Sequence, residues 1–98
     1  IRRLLQNQER SLDDFDAVEI NEAFAAQVLA CTRELEISPD RINACGGAIA
    51  VGHPIGASGA RLVVHLAHRI QRGEARRAVG SLCVGGGMGI ALSMETPS

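Results

Sequence analysis

Three polar residues of this chain are of types that could do chemistry together: Asn21, His53 and Cys83. Asn21 and His53 stand 32 positions apart, and His53 and Cys83 stand 30 apart. Each spacing is the length of one α/β unit, and each residue follows or ends a short run that reads as a strand. Open α/β sheets gather their sites at the carboxyl ends of strands, so the three could converge in space. The chemistry such a trio supports is acyl transfer. A cysteine acts as nucleophile or base in its thiolate form, and a nearby imidazole helps to ionise it. An asparagine and bare backbone N–H groups stabilise an oxyanion. Each residue also has a plainer reading. Asparagine caps helices, a histidine in a turn can bond a carbonyl, and buried cysteines are common in strands. Residue types and spacing alone leave both readings open.

His53 lies inside the most distinctive stretch of the chain, Cys45 to Arg61, which holds five glycines and no charge before Arg61. Flexible linkers are polar and serine-rich, so this run reads instead as a folded loop passing through a crowded place. Pro54 restricts the backbone of His53 to extended conformations. A titratable side chain on a rigid, uncharged loop is how an acid–base group would be presented.

The elements that must position these residues follow from periodicity. Ile1, Leu4 and Leu5 make a helical stripe, and Ser11 to Asp14 reads as a turn. Ala17 to Ile20 is a strand. A second helix opens at Asn21, with Asn21 as its possible cap and Phe24, Val28 and Leu35 on one face. It ends before Ser38-Pro39-Asp40. Residues 42–45 read as a further strand leading into the glycine run. A third helix starts near Ser58, with Leu62, Leu66 and Ile70 on one stripe and Gly73 as its stop. Ala78 to Val84 is an apolar strand, Gly85 to Gly89 a glycine turn, and Ile90, Leu92 and Met94 alternate as a half-buried last strand. The order is α/β: layered helices on a mixed, mostly parallel sheet that ends in an antiparallel hairpin.

Composition narrows the function classes. The chain has 98 residues, net charge −1, and ten basic residues that are all arginine. Phe15 and Phe24 are the only aromatics, so stacking platforms for single-stranded nucleic acid are lacking and no nucleic-acid partner is expected. Three cysteines without a C-x-x-C pair argue against a disulfide framework or a zinc knuckle, and fit a reducing, cytoplasmic compartment. His65 and His68 could share a metal, but no carboxylate or cysteine joins them in sequence, and no metal is expected. No apolar run reaches the ~18 residues of a membrane span, so no membrane partner is expected. The chain opens Ile1-Arg2-Arg3, which predicts a piece of a longer protein.

Three blocks then carry a resemblance. Asn21-Glu22-Ala23-Phe24-Ala25, the run Gly46 to Arg61 and Cys83-Val84-Gly85-Gly86-Gly87-Met88-Gly89 look like the C-terminal signature blocks of thiolases, the acetyl-CoA acyltransferases. They occur in family order, and the likeness covers essentially the whole chain. The resemblance implies a reversible Claisen condensation or thiolysis between acyl-CoA and acetyl-CoA, with these thioesters as substrates and no permanently bound cofactor. It implies that His53 activates a nucleophilic cysteine and helps form an oxyanion hole. Asn21 would hold a water in that hole, and Cys83 would move the α-proton of acetyl-CoA. The N–H of Gly85 would bind the acyl carbonyl oxygen, and Ala23 and Phe24 would lie beside the acyl pocket. It also implies a homodimer or homotetramer for the full-length protein, acting in fatty acid and lipid metabolism.

No residue here matches the family's nucleophile. Residues 1–98 are therefore expected to be an incomplete C-terminal half-domain, inactive alone, with the N-terminal half and its cysteine elsewhere. Cys45 departs from the family, which often has asparagine there. Three rivals stand beside this reading. A ketoacyl-synthase-like condensing enzyme would typically use two histidines rather than His53 with Cys83. A non-catalytic, thiolase-like acyl-CoA-binding protein would lack the upstream cysteine. A nucleotide-phosphate cradle would need the Gly-Lys-Ser/Thr ending that these glycine runs do not have.

Overall fold

The computed structural model describes residues 1–97. The stripe of Ile1, Leu4 and Leu5 belongs to helix α1 (Arg2–Gln8), and a 3-10 turn at Leu12–Asp14 leads into strand β1 (Ala17–Ile20). Helix α2 (Ala25–Leu35), a second 3-10 turn (Pro39–Arg41), a single helical turn α3 (Ala48–Val51) and helix α4 (Ser58–Gln71) follow. Strands β2 (Arg77–Gly85) and β3 (Met88–Glu95) close the chain as a hairpin. The sheet runs β1-β2-β3. β1 and β2 are parallel, from Ala17 opposite Ala78 to Ile20 opposite Ser81, and β3 is antiparallel to β2. The mixed α/β architecture with its antiparallel end is the one read from the sequence.

Strand alternation divides β1 between two layers. Val18 and Ile20 pack with Phe15, Val28, Ile37, Ile42 and Val79 on one side of the sheet, joined at the edge by Leu4, Leu5 and Leu35. Ala17 and Ala78 face the other side, where Leu66 and Ala75 cover them. Small residues on this second side let α4 come close. A Cβ built on Gly80 would stand 2.9 Å from Cδ1 of Leu66, which is fully buried. The stripe on α4 therefore narrows to Leu66, with Leu62 and Ile70 half-buried.

Five expectations need correction. Residues 42–45 form no strand: Ile42 makes a single bridge to Val18, and Asn43 then turns the chain with φ 50°. The second helix begins at Ala25 rather than at Asn21, because residues 21–24 stay outside the helix and Phe24 occupies its cap position with extended backbone. Phe24 is 72% exposed rather than packed on the helix's buried face. The glycine run holds the helical turn α3, and β3 leaves Ile90 and Leu92 uncovered, with only Met94 of its alternating set joining the core.

One carboxylate fixes where β2 starts. Asp16 Oδ2 accepts from the backbone N–H groups of Arg76 (2.8 Å) and Arg77 (3.0 Å), and its own N–H donates to the Arg77 carbonyl. These N–H donors, Arg77 first, hold the Asp16 carboxyl below the ordinary aspartate range. A depressed carboxyl contributes stability above its unfolded pKa and loses it as pH falls through the folded value. Asp16→Asn is thus expected to lower stability by about 1 kcal/mol at neutral pH, a modest figure because the group is exposed. The difference from wild type should shrink toward zero in thermal melts run progressively below pH 4.

Candidate active site

β1 delivers Asn21 to the carboxyl edge of the sheet. Its backbone N–H donates to the Ser81 carbonyl at 2.9 Å, which continues the β1–β2 ladder by one residue. Alternation turns its side chain to the α4 side, together with Glu19. Asn21 is 2% exposed, and neither its Oδ1 nor its Nδ2 has a hydrogen-bond partner among the described residues. Burying an amide unpaired costs about 1–3 kcal/mol. The helix-cap reading of Asn21 is therefore excluded, and its amide is free to meet a ligand or water. It opens on a cavity of about 140 Å³ lined also by Glu19, Asn43, Arg61 and His65.

The loop carrying His53 is held by side chains. Asn43 uses both ends of its amide on one residue of β1: Oδ1 accepts from Ile20 N–H and Nδ2 donates to Ile20 C=O, each at 2.9 Å. Its Nδ2 also lies 3.3 Å from Glu22 Oε2. Glu22 Oε1 accepts from the N–H of Ile49 at 3.1 Å, at the start of α3. A Cβ on Gly47 would collide with this carboxylate, so glycine is required for the approach. Beyond α3, Arg61 Nη1 donates to the Gly52 carbonyl at 2.8 Å. Nδ1 of His53 then lies 2.5 Å from the hydroxyl of Ser58, which is fully buried at the head of α4. With Nδ1 engaged, Nε2 is the ring nitrogen left to face a reacting group.

Cys83 ends the regular part of β2. A bulge between Cys83 and Gly85 shifts the register, and Gly86 and Gly87 turn the hairpin with φ 59° and 73°. Two residues at positive φ make the tight turn that matches strand twist. Cys83 is exposed, in an open groove it shares with Cys31, Gln27 and Met88. Gly85 stands exposed beside it.

The elements that carry the three residues adjoin at one edge of the sheet. Gly59, next to Ser58, lies against Leu82, the neighbour of Cys83, and Asn21 is bonded to Ser81. No hydrogen bond links Asn21, His53 and Cys83 among the described residues, and Asn21 and Cys83 line different cavities. Ala23 is half-buried and Phe24 exposed on the turn that leaves this edge. His65 is not aimed at a site shared with His68: its Nε2 lies 2.9 Å from Glu19 Oε1. Among the described residues, no group of three or more potential metal ligands occurs. Among the described residues, no helix is long and apolar enough to cross a membrane.

Reading the sequence missed the positioning residues Glu22, Asn43, Ser58 and Arg61. Glu22 and Arg61 lay inside quoted blocks, but their partners are 27 and 9 positions away and follow no period. Glu19 was also missed, although an acid inside an apolar strand is itself a signal.

A family model described as "Thiolase, C-terminal domain" matches residues 1–96. An acetyl-CoA acetyltransferase of Chromobacterium violaceum is 51% identical over 96 residues, covering 98% of this chain and 24% of that protein. A beta-ketoadipyl-CoA thiolase of Pseudomonas knackmussii is 53% identical over 97 residues, covering 97% and 24%. Human mitochondrial 3-ketoacyl-CoA thiolase, solved in complex with CoA, aligns with a TM-score of 0.91 and 46% identity over 99% of this chain and 25% of that one. The chain spans about a quarter of the length of the curated relatives it matches.

The Glu22 clamp makes a local prediction. Gly47→Ala displaces the carboxylate from Ile49 N–H, a bond to a charged group worth about 1.5–3 kcal/mol. Hydrogen exchange at the Ile49 amide should accelerate roughly tenfold to a hundredfold, while β1–β2 amides keep their protection.

Proposed function

The chain belongs to the thiolase family, and on that premise we propose that it forms the acid–base and oxyanion edge of a C-acyltransferase within a longer polypeptide. The reaction joins or cleaves a carbon–carbon bond between an acyl-CoA and acetyl-CoA, which are substrates and not resident cofactors. The observation that carries this reading is the sheet edge itself. Its elements carry an imidazole braced on a buried serine, an unpartnered buried amide and an exposed cysteine beside a glycine hairpin.

In the first half-reaction a cysteine from elsewhere in the full-length chain gives its proton to His53 Nε2. Its sulfur bonds the acyl carbon, and the departing CoA thiolate takes that proton back. In the second half-reaction the Cys83 thiolate removes a proton from the α-carbon of acetyl-CoA. His53 and a water held by Asn21 bind the resulting enolate oxygen. The Gly85 N–H binds the oxygen of the acyl-enzyme. The α-carbon attacks the acyl carbon, the carbon–sulfur bond to the nucleophile breaks, and that thiolate recovers the proton from Cys83. Thiolysis is the reverse. Ala23 and the exposed ring of Phe24 border the acyl pocket in this reading. The uncovered Ile90 and Leu92 support burial against the remainder of the polypeptide, so residues 1–98 act as one part of a half-domain. The resemblance supports a homodimer or homotetramer, and the three free cysteines support a cytoplasmic setting.

Asn21→Ala in the full-length enzyme tests the oxyanion role. Loss of a donor to the developing charge should lower kcat roughly a hundredfold or more. The melting temperature, measured beside kcat, should shift by no more than a few degrees, which separates loss of a catalytic contact from loss of the fold. An unchanged kcat would remove Asn21 from the reaction.

A further inference from the structure

Glu19 is the one buried acid among the described residues, and the reading above does not use it. It is 2% exposed at the middle of β1, two residues before Asn21 and therefore on the same face. His65 of α4 sits opposite, its Nε2 2.9 Å from Glu19 Oε1 but off the line that an N–H···O bond needs, so neither atom is satisfied. Both atoms of the Asn21 amide are unsatisfied as well. All four belong to residues lining one cavity of about 140 Å³. A water needs about 10–15 Å³ of such space and two to four polar partners, so the cavity has room for water and polar groups to hold it.

We propose that Glu19 and His65 are positioning residues for Asn21, acting through water in this shared cavity to hold the amide with Nδ2–H turned toward the substrate. The inference rests on the oxyanion role proposed above for Asn21. Its donor inventory closes. An ionised carboxylate only accepts. A water beside it must donate one hydrogen to Glu19 and has the other free for Asn21 Oδ1. Its lone pair accepts from His65 Nε2–H. Oδ1 is thereby drawn inward, and Nδ2–H must face the other way. A side chain amide in place of Glu19 can donate as well as accept, so the water can reverse and the amide of Asn21 can flip.

The test is a double-mutant cycle in the full-length enzyme, with kcat and the KM for acetyl-CoA measured for Glu19→Gln, Asn21→Ala and the pair. Glu19→Gln should lower kcat roughly tenfold, a share of the hundredfold or more carried by an oxyanion donor, while KM stays within about twofold. In the Asn21→Ala background the same substitution should change kcat by less than about twofold, because the residue it acts through is gone. Should Glu19→Gln fail to fold, His65→Leu removes the water's donor and enters the same cycle. Equal losses in both backgrounds, or a folded single variant at the wild-type rate, overturn the inference while leaving the role of Asn21 intact. If Asn21→Ala itself is as fast as wild type, the oxyanion reading fails first and this inference falls with it.

Discussion

The site depends on how a glycine-rich loop without a strand of its own is held against a sheet. Asn43 and Glu22 do this with side chains. The amide of Asn43 pairs with Ile20 as a neighbouring strand's backbone would, and the Glu22 carboxylate reaches the first turn of α3. Hydrogen bonds contribute about 1 kcal/mol each, and those to a charged group about 1.5–3. Together they outweigh thermal motion and set where the loop begins. Arg61 and Ser58 set where it ends, with Ser58 taking Nδ1 of His53. None of these ties belongs to the two apolar layers.

The two faces of β1 have different duties. Val18 and Ile20 join the apolar layer, where packing decides stability. Ala17, Glu19 and Asn21 face α4, where the residues become more polar toward the carboxyl end of the strand. Ala17, Ala78 and Gly80 are small enough for Leu66 to close that layer at the base. Above Leu66 the space opens into the cavity of Glu19, His65 and Asn21. Burial pushes the Glu19 carboxyl above the ordinary glutamate range, against the opposing pull of His65 and Arg69. A raised carboxyl means that the folded state holds its proton over a window where the unfolded chain has lost it. Stability falls as pH rises through that window, the opposite sign to Asp16. A buried acid that costs stability beside the proposed site is the pattern expected of a functional rather than a structural group.

Much of the scaffold was legible because it rests on local period. The strand Ala17–Ile20, the start of α4 at Ser58 and the closing hairpin follow from alternation, helical spacing and glycine. The motif blocks around Asn21, His53 and Cys83 pointed to the family that the comparisons support. Residues 42–45 misled because β propensity there is overridden by one left-handed residue, Asn43. Asn21 misled because capping preference is a local rule, whereas its position is set by the ladder to Ser81. Helical spacing puts Phe24 on one face with Val28 and Leu35, yet it precedes the helix, with extended backbone and an exposed side chain. The clamp of Glu22 and Asn43 was illegible for a physical reason: its partners come together only after α2 and the second 3-10 turn have brought the chain back to β1.

The central claim is that His53 and Cys83 divide the proton transfers at this edge. It is tested most directly by following acetyl-CoA in deuterated solvent with the full-length enzyme carrying Cys83→Ser or His53→Ala. Cys83→Ser should largely abolish exchange of the α-protons while still permitting acylation of the nucleophile, seen as a mass increase on the protein. His53→Ala should impair the acylation itself. If Cys83→Ser exchanged α-protons and condensed acetyl-CoA at the wild-type rate, Cys83 would be a strand residue only, and the division of labour would be contradicted.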